Sequence, residues 1–217
     1  MKLYLVFFVC FYITIANSKD INIPNGDLIF VRPPLDASSS LDSAILASGN
    51  ATLDWLRSNN YSVDSNNYIS THVALSYHAA DGSRYFIQAV PPQGVLITPL
   101  EDFLHMIPIG TELFWGQLAW KSADIRNHAI NRALKQDHKP YANDFGKPPS
   151  EFYCSSLVEY AYESYAPFFN DTFTLIFVPM SFWEPYYEAR NLSVPVNMTG
   201  SNPTLLMYSP VVALTKL

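Results

Sequence analysis

Residues 70–90, STHVALSYHAADGSRYFIQAV, do most to narrow what this chain can become. Apolar and polar residues alternate on both sides of Asp81-Gly82, the pattern of two antiparallel strands joined by a tight turn. A three-residue loop, Ala80-Asp81-Gly82, with the glycine left-handed, pairs Ala79 with Ser83 and sets His72 opposite Val90. Alternation then places Val73, Leu75 and Tyr77 on one face and His72, Ala74 and Ser76 on the other. Phe86, Gln88 and Val90 share a face of the second strand, which makes Gln88 the diagonal neighbour of His72, about 7–8 Å away at the backbone. A one-residue slip would separate the two. An ordinary hydrogen-bonded strand glutamine explains Gln88 equally well on the residues alone.

The second constraint is Cys154, in PPSEFYCSSLVEYAYESY. Cys154, Leu157, Val158, Ala161 and Tyr165 recur at helical spacing, so the thiol opens a helix and heads its apolar face. Unpaired amides and the helix dipole at such an entrance favour a thiolate, lowering its pKa from about 8.5. The other cysteine, Cys10, lies in MKLYLVFFVCFYITIANS. One lysine, an apolar run and Ala16-Asn17-Ser18 read as a secretory signal over residues 1–18 rather than a membrane anchor. Cleavage leaves Cys154 alone in a single domain, residues 19–217. A lone thiol in an oxidising compartment points to intermolecular pairing or reactivity, against an inert buried cysteine.

Five N-x-S/T sequons, at Asn50, Asn60, Asn170, Asn191 and Asn197, fit the same secreted or lumenal route, an acidic lysosomal lumen included. The net charge is −6, and losing Lys2 with the signal makes it −7, which disfavours nucleic acid and anionic lipid surfaces as partners. No H-x-x-x-H or C-x-x-C spacing marks a metal site, and isolated glycines form no phosphate loop, so no metal or cofactor is expected. Beyond the signal no stretch is apolar enough to be a transmembrane segment. Of the remaining histidines, His78 sits near the turn, His128 and His138 on or after a charged helix, and His105 in a semi-apolar segment.

Further elements are expected at Leu28–Val31 (strand), Leu41–Ala47 (short helix), VLITPLEDF and GTELFWGQLAW (strands), and SADIRNHAINRALKQ (a helix capped by Ser122). Residues 48–70, rich in Asn and Ser and carrying two sequons, read as a glycosylated surface excursion with a helical turn near Trp55. The last thirty residues read as loops around one strand, and Asp27 as a turn cap.

GDLIFVRPP, THVAL, FIQAVPPQGVLITPLEDF and KPYANDFGKPPSEFYCSSLVEYAYE, in that order, resemble the permuted papain-fold amidases of the YaeF/YiiX group. These belong to a wider NlpC-like superfamily that includes the lecithin:retinol acyltransferase type. The resemblance spans about residues 25–165. It implies an α+β, circularly permuted papain-like fold, with an antiparallel sheet packed against helices and the nucleophile at a helix N-terminus. It also implies Cys154 as nucleophile, His72 as base, Gln88 as the polar third member and Tyr153 at the oxyanion site. Relatives often carry glutamate where this chain has Gln88, a neutral amide that orients imidazole without stabilising its charge. The C-terminal segment 170–217 and the loop near 48–70 match nothing in the resemblance and are expected to shape access.

The expected chemistry is cysteine-dependent hydrolysis of an amide, peptide or isopeptide-like bond through an acyl-enzyme. Two alternatives stand beside it. The 28 Phe and Tyr residues would suit an acyl-lipid substrate for the same dyad, and a secreted binding glycoprotein could retain the fold without catalysis. The oligomeric state is not legible.

Overall fold

The structure is a computed structural model and describes residues 21–34, 39–120, 122–163, 168–169 and 172–217. The signal segment, Cys10, Tyr165 and Asn170 lie outside the described residues.

Six strands form one antiparallel sheet: β1 (Leu28–Arg32), β2 (His72–His78), β3 (Arg84–Val90), β4 (Gly94–Pro99), β5 (Glu112–Leu118) and β6 (Val212–Lys216). Their order is β4-β3-β2-β1-β5-β6. The central β1 is covered on both faces, which is why LIFVR is a continuous apolar run before its arginine. Leu28 and Phe30 join the main core with Val73, Leu75 and Phe114. Ile29, Val31 and Ala74 join a smaller cluster on the opposite face with Phe86 and Phe103.

Helices α1 (Ser40–Ser58), α3 (Ala123–Leu134), α4 (Cys154–Tyr162) and α6 (Pro203–Met207) contribute to the main core, and α2 (Leu100–Met106) to the smaller one. A further helix, α5 (Met180–Glu188), leans on α1. Cys154, Leu157, Val158 and Ala161 are buried along one stripe of α4, as their spacing requires. In α3 the inward face carries Ala129, Ile130 and Ala133, flanked by Ile125 and Leu134. Ser122 occupies the position before that helix without a side-chain capping bond.

The β2–β3 hairpin has the expected loop. Ala79 N–H donates to Ser83 O at 2.9 Å, Gly82 N–H donates to Ala79 O at 3.0 Å, and Gly82 has φ +85°. Pairs from Leu75↔Ile87 to His78↔Arg84 fix the register that, continued, faces His72 with Val90.

Three expectations about elements need correction. The last thirty residues hold, besides loops and β6, the buried helix α6. Residues 48–58 are not surface excursion but the second half of α1, whose Leu53 and Leu56 are buried, so only the stretch after it is loop. Ser39 accepts from Asp42 N at 3.1 Å and Asp42 accepts from Ser39 N at 3.0 Å, a reciprocal cap that starts the helix. VLITPLEDF changes type within itself: β4 ends at Pro99, and Leu100, Glu101 and Asp102 open α2, with both carboxylates in the first turn where the dipole favours them.

Candidate active site

The first residue of β2 and the first residue of α4 supply the two side chains of interest. His72 Nε2 and Gln88 Oε1 are 2.7 Å apart. The amide carbonyl can only accept, so Nε2 carries the proton and Nδ1 is left to act as a base. Gln88 Nε2 donates in turn to Thr98 Oγ1 at 2.9 Å. This second bond fixes the amide's orientation, and with it the imidazole tautomer. Thr98 was missed in the sequence, although it faces Phe86 across the β3–β4 register.

Cys154 is 4% exposed and heads α4, against the side of the sheet that carries Val73. The Val73 backbone amide, next in the chain after His72, favours the thiolate. Backbone amides of Ser155 and Cys154 also favour the thiolate, in the direction expected at a helix entrance. Burial outweighs all three and pushes the thiol up to about 12. The expected lowered thiol pKa therefore does not hold in this structure. Desolvation likewise lowers His72 below 6.5, opposed by Gln88 and by the charge of Asp42. Both partners rest neutral.

The thiol and the imidazole open onto different cavities. Cys154 lines one of about 30 Å³ with Ser155, Leu175, Phe177, Trp183 and Ser201. His72 lines one of about 130 Å³ with Asp42, Gln88, Val90 and Phe103. Asp42 acts electrostatically on His72, Cys154 and Tyr141, which places the first turn of α1 near all three. It disfavours the thiolate and favours the imidazolium. Sequence reading passed over Asp42 because α1 was expected to be short, although the Ser39–Asp42 spacing is a helix-start signal.

Tyr153, expected at an oxyanion site, is 3% exposed, and its hydroxyl accepts from Ser201 N–H at 3.1 Å. Its proton is held more firmly than in free tyrosine because of burial. Asn50, Asn60, Asn191 and Asn197 are exposed. Asn50 lies inside α1, where Thr52 of its sequon is buried.

The family described as "Permuted papain-like amidase enzyme, YaeF/YiiX, C92 family" matches residues 22–213. The chain belongs to this permuted papain-like amidase family.

The fold of this amidase-family chain agrees with a solved relative, the crystal structure of metalloprotein yiiX from Escherichia coli O157:H7. The TM-score is 0.66 at 18% identity, over 89% of this chain and 96% of the other. No curated protein matches. The yiiX structure is described as a metalloprotein, whereas among the described residues here no three His, Cys, Asp or Glu side chains gather as a metal site. Among those residues, too, no helix is long and apolar enough to cross a membrane.

One prediction concerns Asp42. Replacing it by Asn removes the charge that favours imidazolium, so His72 should protonate at still lower pH in an NMR titration of its ring protons. Ser39→Ala, which weakens the same helix cap but keeps the carboxylate, should leave the His72 titration where it is. Equal shifts in both variants would trace the effect to the cap.

Proposed function

We propose that this member of the amidase family is a cysteine hydrolase of amide bonds, with Cys154 as nucleophile and His72 as base. The carrying observation is the junction of β2 and α4: the amide beside the sulfur belongs to the residue after His72, whose far nitrogen is held by Gln88. In the reaction, His72 takes the thiol proton and the sulfur attacks the carbonyl carbon. The C–N bond then breaks, the amine leaves with that proton, and water releases the acyl group from the thioester. The Cys154 backbone N–H and the Tyr153 hydroxyl are the proposed donors to the oxyanion. Because the thiol lies under Leu175, Phe177 and Trp183, substrate must displace part of this cover. The leader composition and the exposed sequons support a secreted or lumenal glycoprotein.

A non-catalytic binding module is the second reading. Deep burial of the thiol, its raised pKa and the neutral Gln88 favour it. A panel of aminocoumarin amides and of short- and long-chain p-nitrophenyl esters separates the readings by intact mass. A hydrolase gains one acyl group on Cys154 that then decays with turnover. Amides as the faster donors support amide cleavage, and long-chain esters as the only donors support the lipid alternative. Absence of acylation across the panel supports the binding module.

A further inference from the structure

A cavity of about 480 Å³ lies along α4 but is not lined by Cys154. Its size is that of a small-molecule site. Five aromatic rings wall it, those of Tyr153, Tyr160, Phe168, Phe169 and Phe173, and Glu159 presents a carboxyl among them. Glu159 follows Cys154 by five residues, about 140° around the helix, so it faces away from the thiol. Burial raises its carboxyl pKa to about 7, and the like charge of Glu163 adds to this while the Ser201 hydroxyl opposes it.

The cations nearby are otherwise placed. Arg132, from α3, lies 3.7 Å from Glu163 and 4.2 Å over the Tyr160 ring. Lys147 is exposed at the cavity rim. Among the described residues Glu159 forms no ion pair. A carboxyl set among aromatic rings with no cation paired to it among the described residues is stabilised most by a ligand that brings one, and ring faces attract the same charge.

We propose that this cavity binds a cationic amine with an apolar body, its ammonium against Glu159 and its hydrocarbon among the aromatic rings. The proposal does not rest on the thiol chemistry, although Tyr153 borders both sites. Below about pH 7 Glu159 takes up a proton and the attraction to the ammonium is lost, so binding is an alkaline-side property.

Isothermal titration with phenethylammonium tests this, with 2-phenylethanol as the uncharged ligand of similar size. The expected result is saturable ammonium binding at pH 8 that weakens at least tenfold at pH 5.5. Glu159→Gln, a neutral mimic of the protonated acid, should weaken binding at pH 8 at least tenfold and flatten its pH dependence. Cys154→Ala should bind as the unaltered protein does, which keeps this result separate from the fate of the hydrolase reading. No saturable binding of phenethylammonium at pH 8, equal affinity for the alcohol, or undiminished binding by Glu159→Gln overturns the proposal.

Discussion

Replacing Cys154 by alanine should remove amide turnover, with kcat falling by about 10⁴-fold or more. The sulfur has no substitute nearby. Ser155 contributes a hydroxyl to the same small cavity, but its Oγ is buried and has no hydrogen-bonding partner to take its proton. Cys154→Ser should be nearly as inactive, because a hydroxyl gives up its proton less readily than a thiol and His72 is already a weakened base. What survives in either variant is binding and the backbone donors at the start of α4. The measurement is steady-state release of aminocoumarin from the best amide of the panel, with thermal melting to confirm that the variants fold. The same assay carries a pH signature: activity should hold through the neutral range and fall only below 6.5, where His72 becomes protonated. Turnover by Cys154→Ala at the original rate would remove the sulfur from the mechanism.

The neutral resting pair follows from where the chain's last part lies. Leu175, Phe177 and Trp183 come from the chain that follows α4 and line the cavity at the thiol. Phe177 and Trp183 meet edge to face at 4.9 Å, and Trp183 donates to Ser48 Oγ at 2.8 Å, tying the cover to α1. Charge separation between sulfur and imidazole is therefore costly until substrate brings polar atoms into the site.

This also explains which parts of the site were legible. The hairpin could be read because period-two alternation and an Asp-Gly turn fix register locally, and register alone brings His72 to Gln88. The Cys154 stripe could be read because four of its buried positions fall within nine residues. α1 was underestimated because Gly49, Asn50 and Ser58 look like loop residues. Its helicity rests on tertiary packing, with Ile69 seated against Gly49, where a side chain would clash. The cover over the thiol and the Glu159 enclosure were not legible, since residues from Phe168 onward complete both. Helical periodicity shows which residues share a face, not what later covers it.

The largest expected loss of stability lies away from the site, at Asp27. Its side chain is fully buried and pairs with Arg126 at 2.6 Å. It also accepts from Trp115 Nε1 at 2.9 Å and from Leu118 N–H at 3.1 Å. Arg126 in turn donates to the carbonyls of Trp120, Asn25 and Leu118 at 2.8–3.1 Å. One carboxylate thus joins the start of β1 to β5 and α3, a wider role than the turn cap expected from sequence. Asp27→Ala strands the Arg126 charge and two N–H donors in the interior, so it should cost about 3–5 kcal/mol, read as a lowered midpoint in urea unfolding. Asp27→Asn keeps one acceptor and should cost less. Combining Asp27→Leu with Arg126→Met should recover part of the loss, because it removes both charges together. A cost below about 1 kcal/mol for Asp27→Ala would mean that strand pairing alone holds β1 in place. The distinction bears on the proposed catalysis, because β1 pairs Val31 with His72, the proposed base. Asp27→Asn, if it folds, should therefore retain acylation of Cys154 while unfolding at lower urea.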